Sequence, residues 1–213
     1  MKIVAVILAR GGSKEIPQKN IINVNQRPLI EYVISAAQKS KVQETWVSTD
    51  CLNIKQVALN NNVNVLDRPK EYATDFSKSE EALIHFANNI NFDVLVFLQP
   101  TSPLVSYSDI NKGIDMMIEK KYDSVFSAYK EHWLPRWTKK QKPFNWNINQ
   151  RPMRQEADAL FVENGAFYIT THDSLMASKL RYSGKIGIVE MPFSRSFQID
   201  TCDDLSIIER LIQ

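Results

Sequence analysis

Two cysteines, three histidines and no long apolar run set the first limits on this chain of 213 residues. Cys51 and Cys202 stand far apart, with no Cys-x-x-Cys and no histidine at ligand spacing, so neither a zinc site nor a disulfide framework is indicated. That cysteine usage suits a reducing compartment. His85, His132 and His172 are scattered without a serine or cysteine partner at motif spacing, which leaves a triad hydrolase without support. No stretch approaches the roughly 18 apolar residues of a membrane span, and the apolar start is too short for a secretory signal. The expectation is a cytoplasmic protein with no membrane partner. A net charge of +2 gives no electrostatic ground for a nucleic-acid partner. Internal repeats and low-complexity tails are absent, and neither the P-loop pattern nor Gly-x-Gly-x-x-Gly occurs.

What is present is an ordinary globular composition, 44% hydrophobic and 23% charged, in a chain long enough to bury a sizeable core as one domain over residues 1–213. Short β-branched runs alternate with helical periods. Met1–Val6 predicts a buried first strand; Leu29, Ile30, Val33, Ile34 and Ala37 share a helical face; Thr45–Ser48 and Val63–Leu66 are further strands around a helix over Ile54–Leu59. Ser77 and Glu80 have capping-box spacing ahead of Leu83, Phe86, Ala87 and Ile90. Asp93–Leu98 is a continuous apolar run, which implies helices on both sheet faces. Ile110, Ile114, Met117 and Ile118 then predict an inward helix face, and Ser124–Ala128 another strand. Asp158–Thr171 and Lys185–Met191 complete the pattern, and Thr201 to Asp204 caps a last helix with Leu205, Ile208, Leu211 and Ile212 inward. The fold class is α/β, a Rossmann-like, mostly parallel sheet with helices on both faces.

Two stretches break the alternation. The first is Ala9-Arg10-Gly11-Gly12-Ser13-Lys14, with Lys19 and Asn20 beyond, at the C-terminal end of the first strand. Adjacent glycines let backbone N–H groups approach an anion, and Arg10, Lys14 and Lys19 suit a polyphosphate; a turn with solvated lysines fits the same local pattern. The second runs from about 130 to 157, where Trp133, Trp137 and Trp146 interleave with Arg136, Lys139, Lys140 and Lys142. Such interleaving is used to stack single-stranded nucleic acid, and it is equally the pattern of a β-ribbon protruding from the core.

Ala-Arg-Gly-Gly-Ser-Lys-x-Ile-Pro-x-Lys-Asn resembles the signature loop of the acylneuraminate cytidylyltransferases. Further matches follow in register: Arg68-Pro69 with Asp75 and Ser79, Gln99-Pro-Thr-Ser-Pro-Leu104, Arg154-Gln155 leading to Asn164-Gly165-Ala166, and Ile199-Asp200-Thr201. The resemblance implies a nucleotide-diphospho-sugar-transferase-type fold, with the 130–157 segment as a protruding β-ribbon dimerisation arm. It implies transfer of CMP from CTP to the anomeric hydroxyl of a sialic-acid-like 2-keto-3-deoxy sugar acid, with Mg²⁺ as cofactor and a homodimer as the assembly. The same motifs would serve pseudaminic, legionaminic or octulosonic-type acids, or a nucleotide-binding protein without catalysis.

Carried onto this sequence, the resemblance implies that Arg10, Lys19, Gln99 and Asp200 carry the chemistry. Ala9 through Lys14, with Asn20, Arg68 and Ser79, would bind the nucleotide. Gln99, Thr101, Ser102, Arg154, Asn164, Gly165 and Phe167 would bind the sugar acid. By spacing alone Ser79 is ordinary first-turn helix chemistry and Arg68 a surface ion pair; the resemblance is what moves them into a pocket. The family usually has Asp-Ile-Asp before the last helix where this chain has Gln198-Ile199-Asp200. Metal binding is therefore expected through Asp200, with the Gln198 carbonyl a poorer substitute for the missing carboxylate.

Overall fold

The computed structural model describes every residue except Trp133, Arg154, Ala157, Asp158 and Gln213. Strands β1 (Ile3–Leu8), β4 (Glu44–Thr49), β5 (Asn64–Asp67), β6 (Val94–Leu98), β7 (Ser124–Glu131), β10 (Leu160–Thr171) and β11 (Ile186–Glu190) form one sheet in the order β11-β7-β10-β6-β1-β4-β5. Every neighbouring pair is parallel except those of β10, which runs antiparallel to β6 and β7. The sheet is covered by α1 (Leu29–Gln38), α2 (Leu52–Asn60), α3 (Ser79–Asn89), α4 (Tyr107–Lys120), α5 (His172–Ser178) and α6 (Cys202–Leu211). The alternation in the sequence forms the expected two-faced sheet, because strands such as β6, buried at every position, must be covered on both sides.

Ile7, Ile30, Ile34, Ile110, Ile114 and Phe167 fill one face, and Val6, Leu83, Phe86, Leu95, Phe97 and Tyr168 the other. A third cluster joins Ile16, Val24, Leu29, Ile199 and Ile208 beneath α6, bringing the glycine loop against the segment before the last helix. Register does the rest. Ile7 stands between Val47 and Leu98, so the chain leaves β1, β4 and β6 side by side at one end of the sheet, where parallel α/β sheets bind ligands. Antiparallel β10 passes the same end in mid-strand, with Phe167 opposite Leu98.

Four details depart from expectation. The box at Ser77 is shifted by one residue: the Lys78 N–H donates to the Glu81 carboxylate at 2.9 Å, because Glu80 is taken by Arg181 at 2.6 Å and the Ser77 hydroxyl by the Glu71 carbonyl at 2.8 Å. Ile118 and Leu211 are 47% and 43% exposed, since each lies well round the helix from the buried stripe. β10 is a single strand whose register shifts between Glu163 and Tyr168, with Gly165 at φ 65°. In the arm, β8 (Arg136–Trp137) and β9 (Pro143–Phe144) pair antiparallel, the other short pair being β2 (Asn23–Val24) with β3 (Arg27–Pro28). Among the described residues of that segment the paired strands are thus two residues long each. Trp137 packs edge-on against Trp146 at 5.1 Å, and the Trp146 indole N–H donates to the Arg136 carbonyl at 2.9 Å.

A buried ion pair anchors the chain that returns to the site. Asp109 has no exposed surface, caps α4 by accepting the Ser106 N–H at 3.1 Å, and accepts from Nη1 and Nη2 of Arg195. Burial alone would raise the Asp109 pKa; hydrogen bonds from Arg195 and Ser106 outweigh it and hold the carboxyl below its usual value. With the folded pKa depressed, this contribution to stability is present above the unfolded value near 4 and is lost as pH falls through the folded one. Asp109→Asn should destabilise the protein by about 3 kcal/mol and flatten the acid limb of a urea-unfolding series taken from pH 6 to pH 3.

Candidate active site

The loop after β1 is shaped from below. Gly11 donates its N–H to Asp50 Oδ1 at 2.9 Å, and a Cβ added there would lie 2.8 Å from Cys51 Cβ, so only glycine fits against the turn into α2. Nothing lies within 4 Å of a Cβ added to Gly12, which leaves that backbone open. Ala9 is buried and its N–H donates to the Ser48 carbonyl at 3.1 Å, while Asn20, also buried, donates its amide to the Arg10 carbonyl at 2.9 Å. Ala9 and Asn20 thus hold the loop in place.

Above the loop is a cleft of about 300 Å³. Arg10, Gly12, Ser13, Lys19 and Asn20 line one side, Arg68 and Ser79 another, and Gln99 and Thr101 come in from the mouth of β6. Tyr72, Thr74, Asp75 and Lys78 also line it; sequence reasoning gave these no role, although Asp75 stood in the matched motif. Asp75 joins the two loop cations, 3.0 Å from Arg10 Nη2 and 2.7 Å from Lys14 Nζ. The Lys14 hydrogen bond is the main cause of its lowered pKa.

Arg68 is buried rather than in a surface ion pair. Its Nε donates to Ser48 Oγ at 3.1 Å and its Nη2 to the Ser48 carbonyl at 2.5 Å. Desolvation pushes its pKa down to about 10, with Asp50 opposing and Arg10 adding to the shift, so it stays charged at neutral pH. His85 packs on Tyr72 with ring centroids 5.7 Å apart. Burial, and then Arg68, lower its pKa, which favours the neutral imidazole.

The far rim is the segment before α6. Ile199 is fully buried and its N–H donates to the Thr101 carbonyl at 2.9 Å. The Lys19 ammonium, with a side chain only 14% exposed, donates at 2.9 Å to both the Ile199 carbonyl and Asp200 Oδ1. Arg10, Lys19, Gln99 and Asp200 therefore meet around one cleft, Asp200 through its bond to Lys19. The sugar-acid set is brought together only in part. Gly165 lies next to Gln99. Ser102 is 2% exposed and Asn164 4%; the Asn164 side chain bonds Ser127, Ser196 and the Ala166 N–H, so both are internal supports. Phe167 is a correction: it has no exposed surface and packs in the core against the α4 face at Gly113. Arg154 lies outside the described residues.

The chemistry of the donor set fits a weakly held divalent ion. Among the described residues no group of three or more His, Cys, Asp or Glu gathers. Asp200 offers one carboxylate whose side chain is 66% exposed, and Mg²⁺ is commonly held by one or two carboxylates together with substrate phosphates and waters. Gln198 directs its amide nitrogen at the Asn164 carbonyl, 2.5 Å away. A larger groove of about 890 Å³ lies beside residues 129–135 and 151–155, lined by Tyr129, Leu134, Met153 and Phe193 together with Lys130 and Arg151; among its described lining residues there is no glycine loop and no Asp.

The sequence profile of the family described as Cytidylyltransferase matches residues 4–213. N-acylneuraminate cytidylyltransferase B of Danio rerio is 37% identical over 216 residues, covering 98% of this chain and 51% of its own length. The N-acylneuraminate cytidylyltransferase of Streptococcus agalactiae serotype V is 27% identical, covering 96% of this chain and 52% of its own length. The chain thus spans about half the length of the curated relatives it matches. Among solved structures, a CMP:2-keto-3-deoxy-manno-octonic acid synthetase complexed with CTP superposes with a TM-score of 0.75 at 18% identity, covering 100% of this chain and 98% of that one. A cytidylyltransferase from Leptospira borgpetersenii gives 0.66 at 18% identity, covering 98% and 85%. At those identities the likeness speaks to the fold.

If the cleft holds a polyphosphate, its cations are not equivalent. Arg10, held in place by Asp75 and Thr74, should lose about 10–100-fold in affinity for a nucleoside triphosphate on mutation to Ala. Lys14, with a side chain 77% exposed, should lose less than about 5-fold. Titration calorimetry at fixed salt checks the ratio.

Proposed function

The chain belongs to the cytidylyltransferase family, and from that premise we propose that it transfers CMP from CTP to the anomeric hydroxyl of a sialic-acid-like 2-keto-3-deoxy sugar acid, releasing pyrophosphate. The observation that carries this reading is the meeting of the Arg10–Lys14 loop, Gln99 and the Lys19–Asp200 pair around one cleft. The names of the relatives supply the class of acid.

Nucleotidyl transfer asks the protein for position and charge rather than covalent help. Gly12 leaves backbone room for phosphate oxygens, Arg10 binds them with its planar fork, and Lys14 adds a mobile charge. Arg68, fixed to the end of β4, lines the cleft with Ser79, and together they would face the nucleoside. Gln99 sits at the strand mouth beside Gly165, where its amide would orient the acceptor. Asp200 would hold Mg²⁺ together with the phosphates, and the metal when bound supplies further neutralisation of phosphate charge. Lys19 keeps the Asp200 carboxylate at the rim of the cleft.

The same proposal treats residues 1–213 as one catalytic domain with an arm at about 130–157. The exposed apolar side chains Leu134, Trp137, Phe144 and Met153 favour burial of that arm in a homodimer. No helix among the described residues is long and apolar enough to cross a membrane, and the two free cysteines suit the cytoplasm.

Pyrophosphate release with Mg²⁺ tests the reaction, crossing the four nucleoside triphosphates with N-acetylneuraminate, pseudaminate, legionaminate and octulosonate. Release is expected with CTP and one sugar acid. A protein that binds CTP but releases nothing with any pair would contradict catalysis. In an active enzyme, Asp200→Asn should lower kcat by about 100-fold or more and, by taking the charged partner from Lys19, lower the thermal midpoint by about 2–4 °C.

A further inference from the structure

Gln198 stands where the resemblance leads one to expect a metal-binding carboxylate, yet its surroundings are those of an amide donor. Its Nε2 donates to the main-chain carbonyl of Asn164 at 2.5 Å and reaches Ser102 Oγ at 3.4 Å. Gly165, at φ 65°, lies directly beneath it: a Cβ added there would be 1.9 Å from Gln198 Nε2 and 3.1 Å from Gln99 Nε2. Two amide side chains thus pack over one glycine, one from the segment before α6 and one from the mouth of β6. Ser127 and Ser196 hold the Asn164 side chain, which leaves its carbonyl to Gln198.

An aspartate at this position is one methylene shorter and only accepts hydrogen bonds. Turned toward Asn164 it would set oxygen against oxygen, and the buried carbonyl would lose its donor. We propose that Gln198 is a positioning residue: it clamps the Asn164–Gly165 turn to the mouth of β6 and thereby sets the Gln99 amide for the sugar acid, leaving Asp200 as the only carboxylate of this segment available to a cation. The part concerning the sugar acid rests on the transfer reading above. The clamp itself does not.

The test uses Gln198→Ala, which removes the donor, and Gln198→Glu, which keeps the length and replaces the amide with a carboxylate. Hydrogen exchange of the peptide spanning residues 160–168 is measured without substrate, and steady-state kinetics are measured with CTP and N-acetylneuraminate. Both variants are expected to speed exchange at residues 163–166 by about 10-fold or more. They should raise the KM for N-acetylneuraminate by about 10-fold, with the KM for CTP and the Mg²⁺ concentration for half-maximal rate within about twofold. Unchanged exchange in either variant overturns the clamp. A Gln198→Ala enzyme whose main defect is a raised Mg²⁺ requirement overturns it in favour of a metal ligand. If the wild type turns over no acid while exchange still quickens, the clamp stands and the transfer reading fails.

Discussion

Lys19 closes the site. Its ammonium lies 2.9 Å from the Ile199 carbonyl and 2.9 Å from the Asp200 carboxylate, joining the loop after the first strand to the segment before the last helix across 180 residues of chain. With so little of its side chain exposed, this contact is worth more than a surface pair, because the charge is largely removed from water and must find partners. The apolar contact of Ile16 and Ile199 beneath it makes the same connection without charge. Were the two segments to part, the cleft would lose its far rim and Asp200 would swing free of the phosphate side.

Electrostatics in the cleft are offset internally only in part. Arg10 and Lys14 share Asp75 and Lys19 has Asp200, while Arg68 has neutral partners on Ser48. Asp50 favours the Arg68 charge and Arg10 opposes it. A triphosphate would arrive at a loop whose carboxylate partner it must replace. On the proposed reading Asp75 would therefore be the group displaced on binding, its own side chain being a third exposed and screened by water.

The sheet was legible because periodicity reports burial: the run Val94–Leu98 and the helical stripes of α1 and α4 could serve little else. Caps were legible at Thr201 and Asp204 but slipped at Ser77, where a distant arginine, Arg181, removed the glutamate that local spacing had assigned to the cap. In the candidate site, the loop, Gln99 and Asp200 named by resemblance come together around one cleft. Resemblance could not separate residues facing the cleft from those supporting it. Asn164 and Phe167 have the expected identity and position but are buried, since a side chain's direction in an irregular strand depends on the bulge at Gly165; Ser102, in the turn after β6, is buried as well. Gln198 was read as a weak metal ligand because its partner, a main-chain carbonyl, leaves no mark in sequence.

The central claim is that the loop after β1 and the segment before α6 form one nucleotide site. A crystal structure of the protein with CTP and Mn²⁺, located by anomalous scattering, tests it most directly. The account predicts phosphate oxygens on the backbone of Gly12 to Lys14, Arg10 turned from Asp75 to phosphate, and the manganese peak beside Asp200. A triphosphate bound away from that loop, or a nucleotide seated in the groove along the arm, would contradict it.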